Sequence, residues 1–173
     1  MELTTCFDEA EIRETVRRLG REISDAYRGQ CPILIGVLKG AFVFLADLVR
    51  ELNIPFEIDF IRACSYGLAT VSSGHVQILK DIEADVRDRH VLVVEDIADT
   101  GLTLETVVAR IRAAAPASVK RCALLVRRGS PVPDFTGLAL APGFVVGYGI
   151  DYREQYRGLR DIRVIVPEPQ KQT

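Results

Sequence analysis

Three carboxylates and two hydroxyls lie close together in the segment that spans residues 95–103. Glu95 and Asp96 directly follow a continuous apolar run, and Asp99 comes three residues after Asp96. A Thr-Gly-x-Thr sequence, residues 100–103, then leads into an apolar pattern with helical spacing. Hydroxyls and backbone N–H groups at the start of a helix suit a phosphate, and glycine allows close backbone approach. Carboxylates beside that phosphate suit ribose hydroxyls, a Mg²⁺ ion or a proton to be removed.

The same residues also have a purely structural interpretation. Asp99 and the two threonines suit helix caps, and Glu95 with Asp96 suits a solvated strand end. Taken singly, each residue fits this interpretation about as well as a functional one. Three acids clustered at one helix start favour a binding site for the segment as a whole. The segment lacks the Gly-x-x-x-x-Gly-Lys pattern of a Walker A loop and the glycine pattern of a dinucleotide fold.

Hydrophobic spacing predicts the elements that must position these residues. Asp8, with Glu11 three residues later, forms a capping-box pattern. Apolar residues from Ile12 to Tyr27 then recur every three or four positions, which predicts an amphipathic helix ended by Gly29. Further helices are predicted over residues 42–52 and 104–114, and strands over residues 32–37, 56–61, 91–94, 122–126, 144–148 and 164–166.

Strands that alternate with helices indicate an α/β fold with a mainly parallel sheet. Such sheets bind ligands at the carboxyl ends of their strands. The residues that follow predicted strands are Leu38 to Gly40, Glu95 to Thr103, Arg127 with Arg128, and Asp151 to Arg157. The segment from Ser65 to Asp81 has no clear periodicity and predicts a long loop flanked by strand ends, a length typical of active-site lids.

Length and composition narrow the class of protein. The chain has 173 residues, which fits a single domain over residues 1–173, and 48% are hydrophobic, which excludes global disorder. The net charge of -2 gives no strong single-sign field, so no nucleic-acid or membrane partner is expected. The longest apolar-rich stretch, residues 135–150, is interrupted by glycine and proline, and the first residues lack signal-peptide features.

The cysteines argue against a zinc site. Cys6, Cys31, Cys64 and Cys122 are far apart in the sequence, and the chain has only two histidines. We expect reduced, mostly buried thiols in a cytoplasmic protein.

Residues 93–103, VVEDIADTGLT, resemble the phosphoribosyl-pyrophosphate signature of type I phosphoribosyltransferases. Residues 36–40, 65–67 and 144–157 narrow the resemblance to the hypoxanthine-guanine phosphoribosyltransferases, in the family's order over residues 8–166. The resemblance implies a mainly parallel twisted sheet flanked by helices, with a small hood formed by chain-terminal segments. It also implies purine salvage, in which a purine nitrogen displaces pyrophosphate from C1 of phosphoribosyl pyrophosphate.

The resemblance assigns roles to particular residues. Asp99 is implied to be catalytic, at purine N7, where it accepts or shuttles a proton, and Glu95 and Asp96 are implied to face the ribose hydroxyls. The 5′-phosphate is implied to lie on Asp99, Thr100, Gly101, Leu102 and Thr103. Pyrophosphate is implied to contact Leu38, Lys39, Gly40, Ser65, Tyr66 and Arg157, with a non-proline cis peptide between Leu38 and Lys39 and a lid at Ser65 and Tyr66.

The implied purine site consists of Arg127, Phe144, Val145 and Asp151, and the implied Mg²⁺ ligands are Glu95, Asp96 and Asp151. The family usually places a lysine where this sequence has Arg127, and its following hairpin is longer than residues 129–134. An arginine is not equivalent to a lysine, which leaves the choice among hypoxanthine, guanine and xanthine open. The implied assembly is a homodimer or homotetramer.

Two other classes of protein fit the sequence less well. One is a catalytically silent regulator that senses phosphoribosyl pyrophosphate on the same fold; the presence of Asp99, Lys39, Tyr66 and Arg157 argues against it. The other is a signalling receiver, which needs paired acids after the first strand, where this chain has Leu38-Lys39-Gly40.

Overall fold

The computed structural model describes residues 2–65 and 76–166. Along the chain, these residues form the following elements: β1 (Glu2–Phe7), α1 (Glu9–Ala26), β2 (Ile33–Leu38), α2 (Phe42–Leu48) with a 3-10 turn (Val49–Glu51), β3 (Glu57–Ser65), β4 (Val76–Lys80), β5 (His90–Ala98), α3 (Leu102–Arg112), β6 (Ser118–Arg127), β7 (Phe135–Leu140), β8 (Phe144–Val146) and β9 (Ile162–Val166).

A six-stranded sheet forms the centre of the protein, with the strand order β4-β3-β2-β5-β6-β7. Neighbouring strands are parallel, except that β4 runs antiparallel to β3. The predicted α/β fold with a mainly parallel sheet is therefore confirmed. The carboxyl ends of β2, β5 and β6 lie along one edge of this sheet, as parallel pairing requires.

Helices cover both faces of the sheet, so the central strands β2 and β5 contain long apolar runs, Ile33–Leu38 and residues 91–94. Leu34 and Leu92 belong to the core on the side of α1 and α2, whereas Ile35 and Val93 belong to the core on the side of α3. All four side chains are fully buried. Burial of each such side chain contributes about 1.5–3 kcal/mol, which explains the continuous apolar runs of β2 and β5.

The predicted capping box fixes the start of α1. The Asp8 carboxylate accepts hydrogen bonds from the backbone N–H groups of Ala10 and Glu11, both at 2.9 Å. The Glu11 carboxylate in turn accepts one from the Asp8 N–H at 2.9 Å. The helix ends at Ala26, and Gly29, with φ of 77°, follows it in a left-handed turn.

The hood that the family resemblance implies is a three-stranded antiparallel sheet in the order β1-β9-β8. Glu2 pairs with Val166, and Phe144 pairs with Ile165. Val145 and Ile162 join the core that α1 and α2 share with the central sheet. The hood is thus packed on the main body and is built from both chain-terminal segments.

Several predicted boundaries and burials are corrected by the structure. The strands β1 and β7 were not predicted, because β1 is short and polar and Gly137 interrupts β7. Strand β4 lies within the segment 65–81 predicted as a loop, and the helix predicted over 42–52 gives way to a 3-10 turn after Leu48.

Of the four free thiols only Cys122 is buried, and Cys31 is exposed, so the prediction of mostly buried thiols was wrong. Among the described residues, no helix is both long enough and apolar enough to cross a membrane.

Candidate active site

The loop after β2 brings a lysine to the edge of the sheet. The peptide bond between Leu38 and Lys39 is cis, as the family resemblance implies. Gly40 follows, and a Cβ atom at this position would overlap the carboxylate of Asp96 from the neighbouring strand β5. Only glycine allows this loop to lie so close to that carboxylate.

The two acids at the end of β5 differ in environment. Glu95 is buried, with 6% of its surface exposed, whereas Asp96 is partly exposed. Burial and the nearby charge of Asp96 raise the pKa of Glu95 to about 8. Burial raises the pKa of Asp96 to about 6, although backbone hydrogen bonds and the charge of Arg157 lower it. A cation bound beside Asp96 would therefore stabilise its ionised form.

The turn from β5 into α3 has the form expected of a phosphate loop. Gly101 precedes the first residue of α3 with φ of 80°, a left-handed conformation that glycine adopts without strain. The Leu102 N–H donates to the Thr100 hydroxyl at 3.4 Å, and the Glu105 N–H donates to the Gly101 carbonyl at 2.8 Å. Thr100 is exposed and Thr103 is half-buried, so both lie within reach of a ligand at this end of the helix.

Arg127, at the end of β6, lies between the predicted catalytic acid and the hood. Its Nε is 3.1 Å from a carboxylate oxygen of Asp99, although the N–H is not aligned for a hydrogen bond. Its two terminal nitrogens donate to the carbonyls of Ala141 at 3.1 Å and Gly143 at 3.2 Å. One N–H on each terminal nitrogen is still available to a ligand.

Phe144 and Val145 begin β8 and differ sharply in exposure. Val145 is buried, whereas 70% of Phe144 is exposed, which is unusual for a large aromatic side chain. The Phe144 and Tyr152 rings form an edge-to-face pair, with ring centres 6.2 Å apart. The exposed surface of Phe144 allows a flat ring to stack on it.

A cavity of about 300 Å³ lies between the loop after β2 and residues 150–157, in the segment that connects β8 to β9. Three carboxylates and three cations line it: Asp96, Asp151, Glu154, Lys39, Arg62 and Arg157. Arg157 is held by Asp151, 2.7 Å from its Nη2, and by the Gly149 carbonyl, which accepts from Nη1 at 2.8 Å. The cavity offers cations to an anionic group and carboxylates to a metal that the group would carry.

Two of the three predicted Mg²⁺ ligands are placed where they could bind the same ion. Asp96 and Asp151 line the same cavity, whereas Glu95 is buried and is not part of the cavity wall. Over residues 2–65 and 76–166, no three His, Cys, Asp or Glu side chains gather into a metal cluster. This arrangement suits an ion that takes most of its ligands from substrate oxygens and water.

The structure thus brings most of the predicted site residues to one edge of the sheet. Ser65 ends β3, and Tyr66 lies outside the described residues. Sequence reasoning missed Glu154, whose carboxylate accepts hydrogen bonds from Lys39 Nζ at 3.0 and 3.1 Å. Glu154 lies in a run of mixed charges, a pattern typical of solvated surface. Its position three residues before Arg157 is the one sequence signal that could have indicated a role.

The sequence of the chain is similar to those of known proteins. Residues 7–153 match the family described as phosphoribosyl transferase domain. The chain is 44% identical over 163 residues to the hypoxanthine-guanine phosphoribosyltransferase of Bacillus subtilis, covering 92% of this chain and 91% of that protein. It is 43% identical over 164 residues to the hypoxanthine phosphoribosyltransferase of Salmonella typhimurium, covering 91% and 92% of the two chains.

Solved structures show the same fold. The crystal structure of a hypoxanthine-guanine phosphoribosyltransferase from Bacillus anthracis has a TM-score of 0.89 and 38% identity, covering 95% of this chain and all of that chain. A hypoxanthine phosphoribosyltransferase from Staphylococcus aureus has a TM-score of 0.90 and 32% identity, covering 95% and 92% of the two chains.

Proposed function

This chain belongs to the phosphoribosyl transferase domain family and is similar to its hypoxanthine-guanine phosphoribosyltransferases, and we propose that it catalyses purine salvage. It transfers the 5-phosphoribosyl group from phosphoribosyl pyrophosphate to hypoxanthine or guanine. The products are the nucleoside monophosphate and pyrophosphate. The observation that carries this proposal is the meeting of the Asp99 turn, the Lys39 loop and the exposed Phe144 ring at one edge of the sheet.

The phosphoribosyl group binds at the end of β5. The turn from Asp99 to Thr103 holds the 5′-phosphate through backbone N–H groups, threonine hydroxyls and the start of α3. Glu95 and Asp96 face the ribose hydroxyls. Asp99, which is 55% exposed, lies at purine N7, where it accepts or shuttles a proton as the glycosidic bond forms.

The departing pyrophosphate binds in the cavity of about 300 Å³, between Lys39 and Arg157. Their positive charges stabilise the negative charge that develops as the bond to C1 breaks. Asp96 and Asp151 would hold Mg²⁺ in the same cavity. When bound, the ion neutralises charge on the leaving group. Ser65 and Tyr66 are proposed to belong to a lid that excludes water during the reaction.

The purine stacks on Phe144, and the backbone of Val145 contacts its edge. Arg127 donates to the 6-oxo oxygen through the N–H groups that Ala141 and Gly143 leave available. Arginine has no acceptor, so its N–H groups could not form a hydrogen bond with the 6-amino group of adenine, which is also a donor. An unpaired buried donor costs about 1–3 kcal/mol, which predicts discrimination against adenine of roughly 5- to 150-fold.

Absorbance assays with purified protein test this function directly. The protein is mixed with Mg²⁺, phosphoribosyl pyrophosphate and hypoxanthine, guanine, xanthine or adenine in turn. We expect turnover with hypoxanthine and guanine and rejection of adenine. Turnover of adenine alone, or of none of the four bases, would contradict the proposal.

The chain is further proposed to act as a single domain in a cytoplasmic homodimer or homotetramer. Phe42, on α2, is 44% exposed beside an apolar groove that Val43 also lines, which is compatible with burial against another subunit. Light scattering of the purified protein would give the mass of the assembly, and a monomer would contradict this part of the proposal.

A further inference from the structure

Glu154 forms ion pairs with two cations of the cavity after β2, Lys39 and Arg157. Both of its carboxylate oxygens accept from Lys39 Nζ, at 3.0 and 3.1 Å. One of them also accepts from Arg157 Nη2 at 3.2 Å. Lys39 and Arg157 are the two cations that the proposed function assigns to pyrophosphate, and Glu154 itself lines that cavity.

The backbone presents this carboxylate at a conformational cost. Arg153, Glu154 and Tyr156 have φ of 54°, 62° and 73°, in the left-handed region that residues with a side chain rarely adopt. The turn is closed by mutual backbone hydrogen bonds between Tyr152 and Gln155. The Glu154 N–H also donates to Asp151 at 2.8 Å. A strained turn that aims an acid at two cations is typical of a ligand-binding segment.

The contact between Lys39 and Glu154 contributes little to the stability of the folded protein. The Lys39 and Glu154 side chains are 45% and 66% exposed, and ion pairs that exposed contribute little to the folded state. The same ion pairs affect function when another anion competes for the same cations. A diphosphate carries more negative charge than one carboxylate and displaces it, but the lost ion pairs then weaken the net binding.

We propose that Glu154 is an internal competitor of pyrophosphate that holds Lys39 and Arg157 between turnovers and is displaced when the diphosphate binds. Glu154 thereby lowers the affinity for phosphoribosyl pyrophosphate and for pyrophosphate, and it promotes release of the pyrophosphate product. This inference depends on the proposed function, because that function assigns the diphosphate to this cavity.

The variant Glu154→Gln removes the competing charge and keeps the size of the side chain. Exposed ion pairs are each worth a factor of about 1.4 to 5, so loss of two predicts tighter pyrophosphate binding by about 2- to 25-fold. The matched control is Glu57→Gln. Glu57 is 54% exposed and pairs with Arg89 at 2.7 Å at the amino end of β3, away from the site.

Titration calorimetry with Mg²⁺ and inorganic pyrophosphate measures this affinity without turnover. Steady-state kinetics provide a second readout. Glu154→Gln should lower the KM for phosphoribosyl pyrophosphate and leave the KM for hypoxanthine within about twofold, and Glu57→Gln should match the wild type in both experiments. A purely structural role of Glu154 would not separate the two KM values.

The outcomes of these experiments separate a failure of this inference from a failure of the proposed function. If the wild type makes nucleotide but Glu154→Gln binds pyrophosphate equally well or more weakly, the inference is overturned and the function stands. If the wild type neither binds pyrophosphate nor turns over any base, the proposed function fails, and the inference fails with it.

Discussion

The glycine before α3 allows a quantitative test of the phosphate site. Gly101 has φ of 80°, and an added Cβ would lie 2.8 Å from Cγ of Pro131. The left-handed backbone costs other residues about 1–2 kcal/mol, and the contact forces the turn or Pro131 to move. Loss of one hydrogen bond to a charged phosphate costs about 1.5–3 kcal/mol. Gly101→Ala should therefore raise the KM for phosphoribosyl pyrophosphate by about 10- to 150-fold.

Gly29→Ala is the matched control for backbone strain. Gly29 has φ of 77°, and a Cβ there would meet no atom within 4 Å. Both variants should lose about 1–2 kcal/mol of unfolding free energy in urea titrations, and Gly101→Ala somewhat more because of Pro131. Steady-state kinetics should separate them, because only Gly101→Ala loses substrate affinity. A KM for Gly101→Ala within twofold of the wild type would refute the assignment of the 5′-phosphate to this turn.

Three further predictions concern the base, the metal and the fold. Arg127→Ala should lower kcat/KM for hypoxanthine by about tenfold or more. Arg127→Lys should stay active with a changed ratio among hypoxanthine, guanine and xanthine, because the compact ammonium of lysine replaces the forked guanidinium. Kinetics with the four bases check both variants, and an unchanged base preference in Arg127→Ala would place the O6 contact elsewhere. Excess chelator should abolish turnover and Mg²⁺ should restore it, since two cavity carboxylates suit a metal held mainly by substrate; full activity in chelator would contradict this. Asp8→Ala removes the cap of α1 and should lower the unfolding free energy by about 0.5–2 kcal/mol with kcat unchanged, and urea titration showing wild-type stability would disprove the role of the cap.

Sequence patterns predicted the parts of the fold that local chemistry determines. The capping box of Asp8 and Glu11 and the buried runs of β2 and β5 depend on neighbouring residues, and the structure confirms them. Strand β1 depends on a partner distant in the sequence, since Glu2 pairs with Val166. Its polar residues carry no local signal of that pairing.

The same distinction holds for the candidate site. The cluster from Glu95 to Thr103 is contiguous, so spacing alone indicated a phosphate site at a helix start. The contact of Lys39 with Glu154 joins residues 115 positions apart. It depends on left-handed backbone at Glu154, which nothing in the side chains of residues 153–156 predicts. Likewise, the position of Arg127 beside Asp99 follows from the pairing of β5 with β6.

The turnover of Asp99→Asn tests the central claim most directly, because this variant removes the proton acceptor and its charge but keeps the size of the side chain. The assay follows conversion of hypoxanthine with phosphoribosyl pyrophosphate and Mg²⁺. Asp99 acting at purine N7 predicts a kcat lowered by about 10²–10⁴-fold, with the KM for phosphoribosyl pyrophosphate within about threefold of the wild type. A kcat close to that of the wild type would contradict the catalytic role proposed for Asp99.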